Sequence, residues 1–169
     1  MLFRSNFGSA QRLTYSCLGD EVNLASRLEG QCKAYAVGII VGDKTCQATP
    51  DLALLELDLI MVKGKTQPER MHCLVGDEEL AKSATFLALK ASQEAFLIAY
   101  RAGRFDEAQT ALGTCESKAD AVRWRQGYYA MMRERLKELA AEPPVNWTGV
   151  DRKSTRLNSS HVSESRMPS

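Results

Sequence analysis

The 169-residue chain predicts an α+β fold that gives way, near residue 77, to helix alone. Three observations predict it. A strand end at Tyr15-Ser-Cys-Leu18 meets a glycine and then an amphipathic helix. Short runs with β-strand character follow at 37–41, 52–62 and 71–75, separated by Pro50 and by a Lys-Gly-Lys turn. Beyond Gly76 the apolar period becomes helical and stays so until Pro143-Pro144. A helix followed by strands in this order packs as helices over one antiparallel-rich sheet.

The first helix opens after Gly19, which allows the sharp turn, with Asp20 as the expected N-cap. Leu24 and Leu28 form its apolar side, and it is expected to run to about Tyr35. Val37-Gly-Ile-Ile-Val41 reads as a buried strand, and Asp43 to Ala48 as one or two helical turns closed by Pro50. Leu52 to Val62 alternates loosely. Leu55, Leu57, Leu59 and Met61 fall on one side, with Glu56 and Asp58 opposite, which predicts a half-exposed strand. Residues 63–69 make a hairpin, and Met71 to Val75 return. Gly76 to Ser83 is a charged linker.

Helix is then expected throughout 81–140. Phe86, Leu89, Phe96, Leu97 and Tyr100 give one apolar stripe, Arg101-Ala-Gly-Arg104 a turn, and Phe105, Ala108 and Leu112 a second stripe. A third helix is expected from Ala119 to Leu139, with Trp124, Tyr128 and Met132 at four-residue steps. Such a stripe is packing before it is a ligand box. Pro143-Pro144 ends it.

Asn23 and Arg27 stand four residues apart and therefore share a helix face. An amide beside a planar guanidinium, near a helix N-terminus, suits an anionic ligand such as phosphate. That spacing is equally what a solvated helix face looks like. The longer string decides between the two. Gly8-Ser9, followed by Arg12-Leu-Thr-Tyr-Ser-Cys-Leu-Gly-Asp-Glu-Val-Asn-Leu-Ala-Ser-Arg-Leu-Glu-Gly30, closely resembles the signature of the class III adenylate and guanylate cyclase catalytic domain. Leu59-Ile-Met-Val-Lys-Gly-Lys65 resembles that family's strand ending in Val-Lys-Gly-Lys.

The resemblance implies a partial ferredoxin-like class III nucleotide cyclase domain. It also implies a reaction, in which the ribose 3′-hydroxyl of ATP attacks the α-phosphate to give 3′,5′-cyclic AMP and pyrophosphate. Asn23 would orient the ribose, and Arg27 would take up charge on the transferring phosphoryl group. Ser16 falls at the purine-selecting position; its hydroxyl can make a threonine-type hydrogen bond, which favours ATP, while Cys17 stands one place from the cysteine common in guanylate cyclases. Lys63 would reach the substrate phosphates, and Lys65 would face solvent. In the family two metal ions, Mg2+ or Mn2+, are held by two aspartates from earlier strands, and an adenine-selecting lysine also lies upstream. None of Asp20, Asp43, Asp51 or Asp58 has that metal-aspartate context. The chain is therefore expected to be inactive alone. The intact enzyme is expected to be a homodimer, one subunit giving asparagine, arginine and lysine and the other the metal aspartates.

In the helical part, Tyr100-Arg-Ala-Gly-Arg-Phe-Asp-Glu-Ala108 resembles the junction of tetratricopeptide-like repeats, where a small residue lets two helices pack closely. Pro143-Pro-Val-Asn-Trp-Thr-Gly-Val150 resembles the close of a C-terminal region found in bacterial membrane-tethered adenylate cyclases. The usual form has aspartate where Asn146 and Thr148 stand. The expected layout is thus a non-native scar over 1–5, the C-terminal half of a cyclase domain over 6–76, and a helical, tetratricopeptide-like region over 77–150. Residues 151–169 are expected to be a disordered tail resembling sequencing-adapter read-through, being almost without apolar residues or period.

Composition narrows the rest. Twenty-two basic and 21 acidic side chains give no reason to expect nucleic-acid or membrane-surface binding. No apolar run approaches the ~20 residues that cross a bilayer; the resemblance implies membrane attachment through upstream segments, with this portion cytoplasmic. Five scattered cysteines without paired spacing argue against a disulfide framework or a zinc site. A second reading, from a different class, is a non-catalytic interaction module: a degenerate cyclase half joined to helical repeats. It predicts free tolerance of change at Asn23 and Arg27.

Overall fold

The computed structural model describes residues 3–7, 14–62, 66–124 and 127–151, the first two strands by backbone alone. It is a mixed α+β architecture with a small antiparallel sheet and several helices. Strands β1 (Phe3–Phe7) and β2 (Thr14–Leu18) form an antiparallel pair, with Ser5 opposite Ser16. Residues 3–5, expected to stand outside the fold, are thus part of β1. Helices α1 (Asp20–Glu29) and α2 (Gln31–Ala34) follow, then β3 (Ile40–Gly42), α3 (Asp43–Ala48), β4 (Ala53–Ile60) and β5 (Glu69–Gly76). The last three strands make one antiparallel sheet in the order β3-β5-β4.

The segment expected to be a charged linker is a helix, α4 (Glu78–Lys82). Asp77 caps it by accepting from the Leu80 amide at 3.0 Å, and Glu78 and Glu79 lie in the first turn, where negative charge is favoured. The chain passes close to α4 there: a Cβ on Gly76 would lie 2.5 Å from Leu80 Cδ2, so that side chain would have to turn aside.

Three longer helices complete the chain: α5 (Ala84–Arg101), α6 (Phe105–Ala121) and α7 (Tyr128–Ala141). Ser83 caps α5 through a hydrogen bond from the Phe86 amide. Gly103, at φ 74°, turns the chain from α5 into α6. The single helix expected from Ala119 is broken. Helix α6 ends at Ala121 and Arg123 turns left-handed at φ 57°, so Trp124 sits in the break. All five residues of the α5 stripe are buried, as are Trp124, Tyr128 and Met132. Helix α7 stops two residues before Pro143.

The core is continuous. One cluster of buried side chains runs from Leu24 and Leu28 of α1 through Leu55, Leu57 and Met71 of the sheet to Phe96, Leu112, Tyr128 and Leu136 of the helices. Strand β4 is consequently not half-exposed. Leu54 and Leu55, which point to opposite sides, are both buried, and Asp58 is completely so. Helices α5 and α7 cover the side that the alternation assigned to water. A register shift between Glu56 and Asp58 marks the irregularity in this strand.

After α7 the chain returns to the sheet. Trp147 packs edge-on against Tyr100 and Phe105 and donates its indole N–H to the Tyr100 carbonyl at 2.9 Å. Asp151 then bridges the free edge of β4: its amide donates to Leu59 O at 2.9 Å and its carbonyl accepts from the Met61 amide at 3.2 Å. Asp151, expected to begin a disordered tail, is buried, because both its backbone and its carboxylate find partners. The rest of the expected tail, 152–169, lies outside the described residues.

Candidate functional site

Helix α1 begins at Gly19, whose φ of 147° is open to glycine and strained for other residues. Gly19 is the N-cap, and Asp20, expected there, is the first helical residue. Asp20 and Glu21 still place acidic groups in the first turn, where the helix dipole favours them. Leu24 and Leu28 are the buried side. They pack over Gly42 of β3, where an added Cβ would come within 3.3 Å of Leu28 and 3.7 Å of Leu24. With that side committed to the core, the opposite face is fixed outward. Asn23 and Arg27 are both exposed on it, one helical turn apart. Among the described residues neither side chain has a hydrogen bond or ion pair within the chain. Glu21 on the same helix pairs with Lys44 of α3.

The other two expected site residues fall elsewhere. Ser16 is in β2, the strand that feeds α1, and its side chain lies outside those described. Lys63 lies outside the described residues, three positions beyond the end of β4. Among the described residues no group of three or more His, Cys, Asp or Glu side chains is arranged to hold a metal ion. The described residues therefore do not fit a two-metal centre.

A second constellation, beneath α7, is entirely different in character. Tyr35, at the end of α2, is fully buried and its hydroxyl lies 2.8 Å from Asp58 Oδ2 and 3.1 Å from Asp151 Oδ2. Arg135 of α7 donates from Nη1 to Asp58 Oδ2 at 2.8 Å and from Nη2 to Asp151 Oδ2 at 3.0 Å. Its guanidinium lies over the Tyr35 ring, 5.1 Å from the centroid. Burial pushes the Asp58 carboxyl up to about 6, against the opposing pull of Arg135 and the Tyr35 hydrogen bond. Burial likewise raises the Tyr35 hydroxyl, with Asp58 adding to the effect.

Beside this cluster runs a neutral network. Gln93 of α5 donates to Glu56 O at 2.8 Å and to the Tyr128 hydroxyl at 3.0 Å, and accepts from the Tyr129 hydroxyl at 3.0 Å. Tyr128 in turn donates to Leu57 O at 2.7 Å. At the end of α5, Arg101 pairs with Glu56 at 2.5 Å, and Arg70 approaches the same oxygen at 3.3 Å. Gln93, Tyr128 and Arg101 thus tie the helices to β4, while Gln93 with Tyr128 and Tyr129 ties α5 to α7. The sequence offered no sign of them: Leu-Glu-Leu-Asp-Leu reads the same whether its acids face water or a buried arginine.

A groove among the described residues lies along α7 rather than on the outer face of α1. It holds about 840 Å³ along α7, between Tyr100, Met131, Leu139 and Trp147, and neither Asn23 nor Arg27 lines it. No helix among the described residues is long and apolar enough to cross a membrane. Comparison with known proteins adds nothing to this: no family model, no curated protein and no solved structure matches the chain.

Proposed function

We propose that this chain supplies the asparagine- and arginine-bearing half of a class III adenylate cyclase site. It would act in a dimer to convert ATP to 3′,5′-cyclic AMP and pyrophosphate. The observation that carries this reading is the outward face of α1. Asn23 and Arg27 are exposed there without a partner among the described residues, while Leu24 and Leu28 anchor the other side. Helix α1 ends at Glu29, not near Tyr35 as expected, so Arg27 stands in its last turn rather than near its start; exposed and one turn from an amide, its planar guanidinium is still presented to an anion.

In the reaction the 3′-hydroxyl gives up its proton to solvent as the O3′–P bond forms and the bond from the α-phosphorus to pyrophosphate breaks. Asn23 holds the ribose so that its 3′-oxygen is in line, and Arg27 neutralises charge growing on the phosphoryl oxygens. Ser16 would read the purine and Lys63 would draw the outer phosphates. The two divalent ions implied by the resemblance, Mg2+ or Mn2+, would be held from the opposite side of a subunit interface. Lacking those carboxylates, this chain by itself should not turn over ATP. On this reading the chain is the cytoplasmic catalytic portion of an inner-membrane-anchored protein, with a tetratricopeptide-like region appended.

The test is complementation. The chain is mixed with a cyclase catalytic domain that keeps its metal aspartates but has its own asparagine and arginine replaced by alanine. Cyclic AMP should appear with Mn2+ and ATP only in the mixture, and Arg27→Ala should remove it. A mixture as active with Arg27→Ala as without it would end this reading. The alternative is a non-catalytic interaction module; the inner sides of α5 and α7 are applied to β4 through Gln93, Tyr128 and Arg135, and Leu87 and Ile98 of α5 remain exposed.

A further inference from the structure

We propose that α7 grips the corner directly behind α1, making Arg135 and Gly127 positioning residues for Asn23 and Arg27; the functional part of this claim rests on the cyclase reading above. Helix α1 is short and buries just two side chains, Leu24 and Leu28, which leaves its tilt weakly determined from its own contacts. Its far end supplies the missing constraint. Gly30 keeps a helical backbone, at φ −58° and ψ −20°, and its amide donates to Ser26 O at 3.3 Å. Helix α2 therefore continues α1 with little interruption, and the Tyr35 amide donates to Gln31 O at 2.9 Å. Eight residues separate Arg27 from Tyr35, about 12 Å at the helical rise. Movement of the corner is movement of the α1 face.

Two separate contacts from α7 hold that corner. Arg135 lies over the Tyr35 ring and shares Asp58 with its hydroxyl, so ring and guanidinium are tied to the same carboxylate on β4. At the start of α7 the Gly127 amide donates to Ala36 O at 3.1 Å. Ala36 is held left-handed, at φ 51°, a conformation uncommon outside glycine that persists where the surroundings dictate it. The approach at this point is close enough to demand glycine: a Cβ on Gly127 would lie 2.7 Å from the Ala36 Cβ. One contact is electrostatic and the other steric, and they meet at adjacent residues. Through them the helical region sets where the α1 face sits over the sheet.

Amide hydrogen exchange on the full chain tests this, with Arg135→Ala, Arg135→Lys and Gly127→Ala. In both Arg135→Ala and Gly127→Ala, amides within 22–37 should exchange at least tenfold faster while those of α5 and α6 change less than twofold. Arg135→Lys, which keeps the charge on Asp58, should recover part of the protection. Unchanged exchange at 22–37 in both Arg135→Ala and Gly127→Ala would overturn the grip. So would an equal rise across α5 and α6, which would mean general destabilisation. Gly127→Ala keeps the test decisive should Arg135→Ala fail to fold, since it leaves the ion pair in place.

Arg27→Ala is the control, expected to leave exchange at 22–37 as in the wild type. Failure of complementation with exchange behaving as described would remove the cyclase reading and leave the grip intact. In an active complemented mixture, Gly127→Ala should lower kcat at least tenfold with KM for ATP within twofold, since Asn23 and Arg27 act on the transition state. An unchanged kcat would remove the positioning role.

Discussion

The outer face of α1 and the space beneath α7 each collect polar and charged residues, and they use them in opposite ways. On α1, Asn23 and Arg27 are exposed and have no partner within the chain among the described residues. Beneath α7, Tyr35 and Asp58 are wholly buried, and Arg135 is bonded to both. The first arrangement costs little to build and contributes little to folding. The second carries a large desolvation penalty that its internal bonds must offset. Chemistry with an outside molecule needs the first kind of residue, and a fixed relation between two parts of a chain can be made from the second. Side chains of the same types are thus left open to a ligand or committed to architecture according to whether the fold supplies them with a partner.

The sharpest way to break this contrast is to remove one arginine from each side. Arg27→Ala should lower turnover in the complemented mixture by ~10³-fold or more, with urea unfolding shifted by about 0.5 kcal/mol at most. Arg135→Ala should do the reverse to stability, lowering the unfolding free energy by about 3–5 kcal/mol because Asp58 is left buried without its cation. Matching stability losses in the two variants would erase the distinction.

Tyr128→Phe probes the neutral part of the buried network. Leu57 O and Gln93 Nε2 would each lose a partner, and a loss of about 1–3 kcal/mol is expected in urea titrations. Acidity sharpens the picture further. The folded-state pKa of Asp58 is raised to about 6 from its ordinary 3.8, so the folded protein holds its proton more tightly than the unfolded chain does. That contribution to stability is complete below about pH 4 and is lost as pH rises through 6. Among the described residues Tyr35, Tyr100, Tyr128, Arg135 and Asp151 are the other ionisable groups around it. Melting temperatures of the wild type and Asp58→Asn across pH 4–7 should show this decline in the first and not in the second. The smallest effect is expected at Ser83→Ala, where loss of the α5 cap should cost about 1 kcal/mol.

How much of this was legible varied with the range of the contacts involved. The α5 stripe, the Gly103 turn and the stop before Pro143 depend on neighbours within a few residues, and each is where the sequence puts it. The outward face of α1 follows from Leu24 and Leu28 by helical geometry alone. Helix α4 was hidden because its charges suit a linker as well as a capped turn. The break at Trp124 was hidden because an aromatic stripe at four-residue steps gives no sign that Arg123 turns left-handed. The burial of Asp58 could not be read at all. Its arginine lies 77 positions away, on a different helix.

By itself, then, the sequence determined the strands β4 and β5 and the apolar stripe of α5, which side of α1 carries the amide and guanidinium, and where the last helix stops. Those outcomes are settled by backbone geometry and local apolar spacing, which act over a turn or two. The tertiary structure alone decided that both sides of β4 are covered, that Asp58 and Tyr35 share Arg135, and that α7 bears on the corner behind α1. Such outcomes depend on side chains brought together from distant positions, and a buried charge shows its meaning only when its partner is in place.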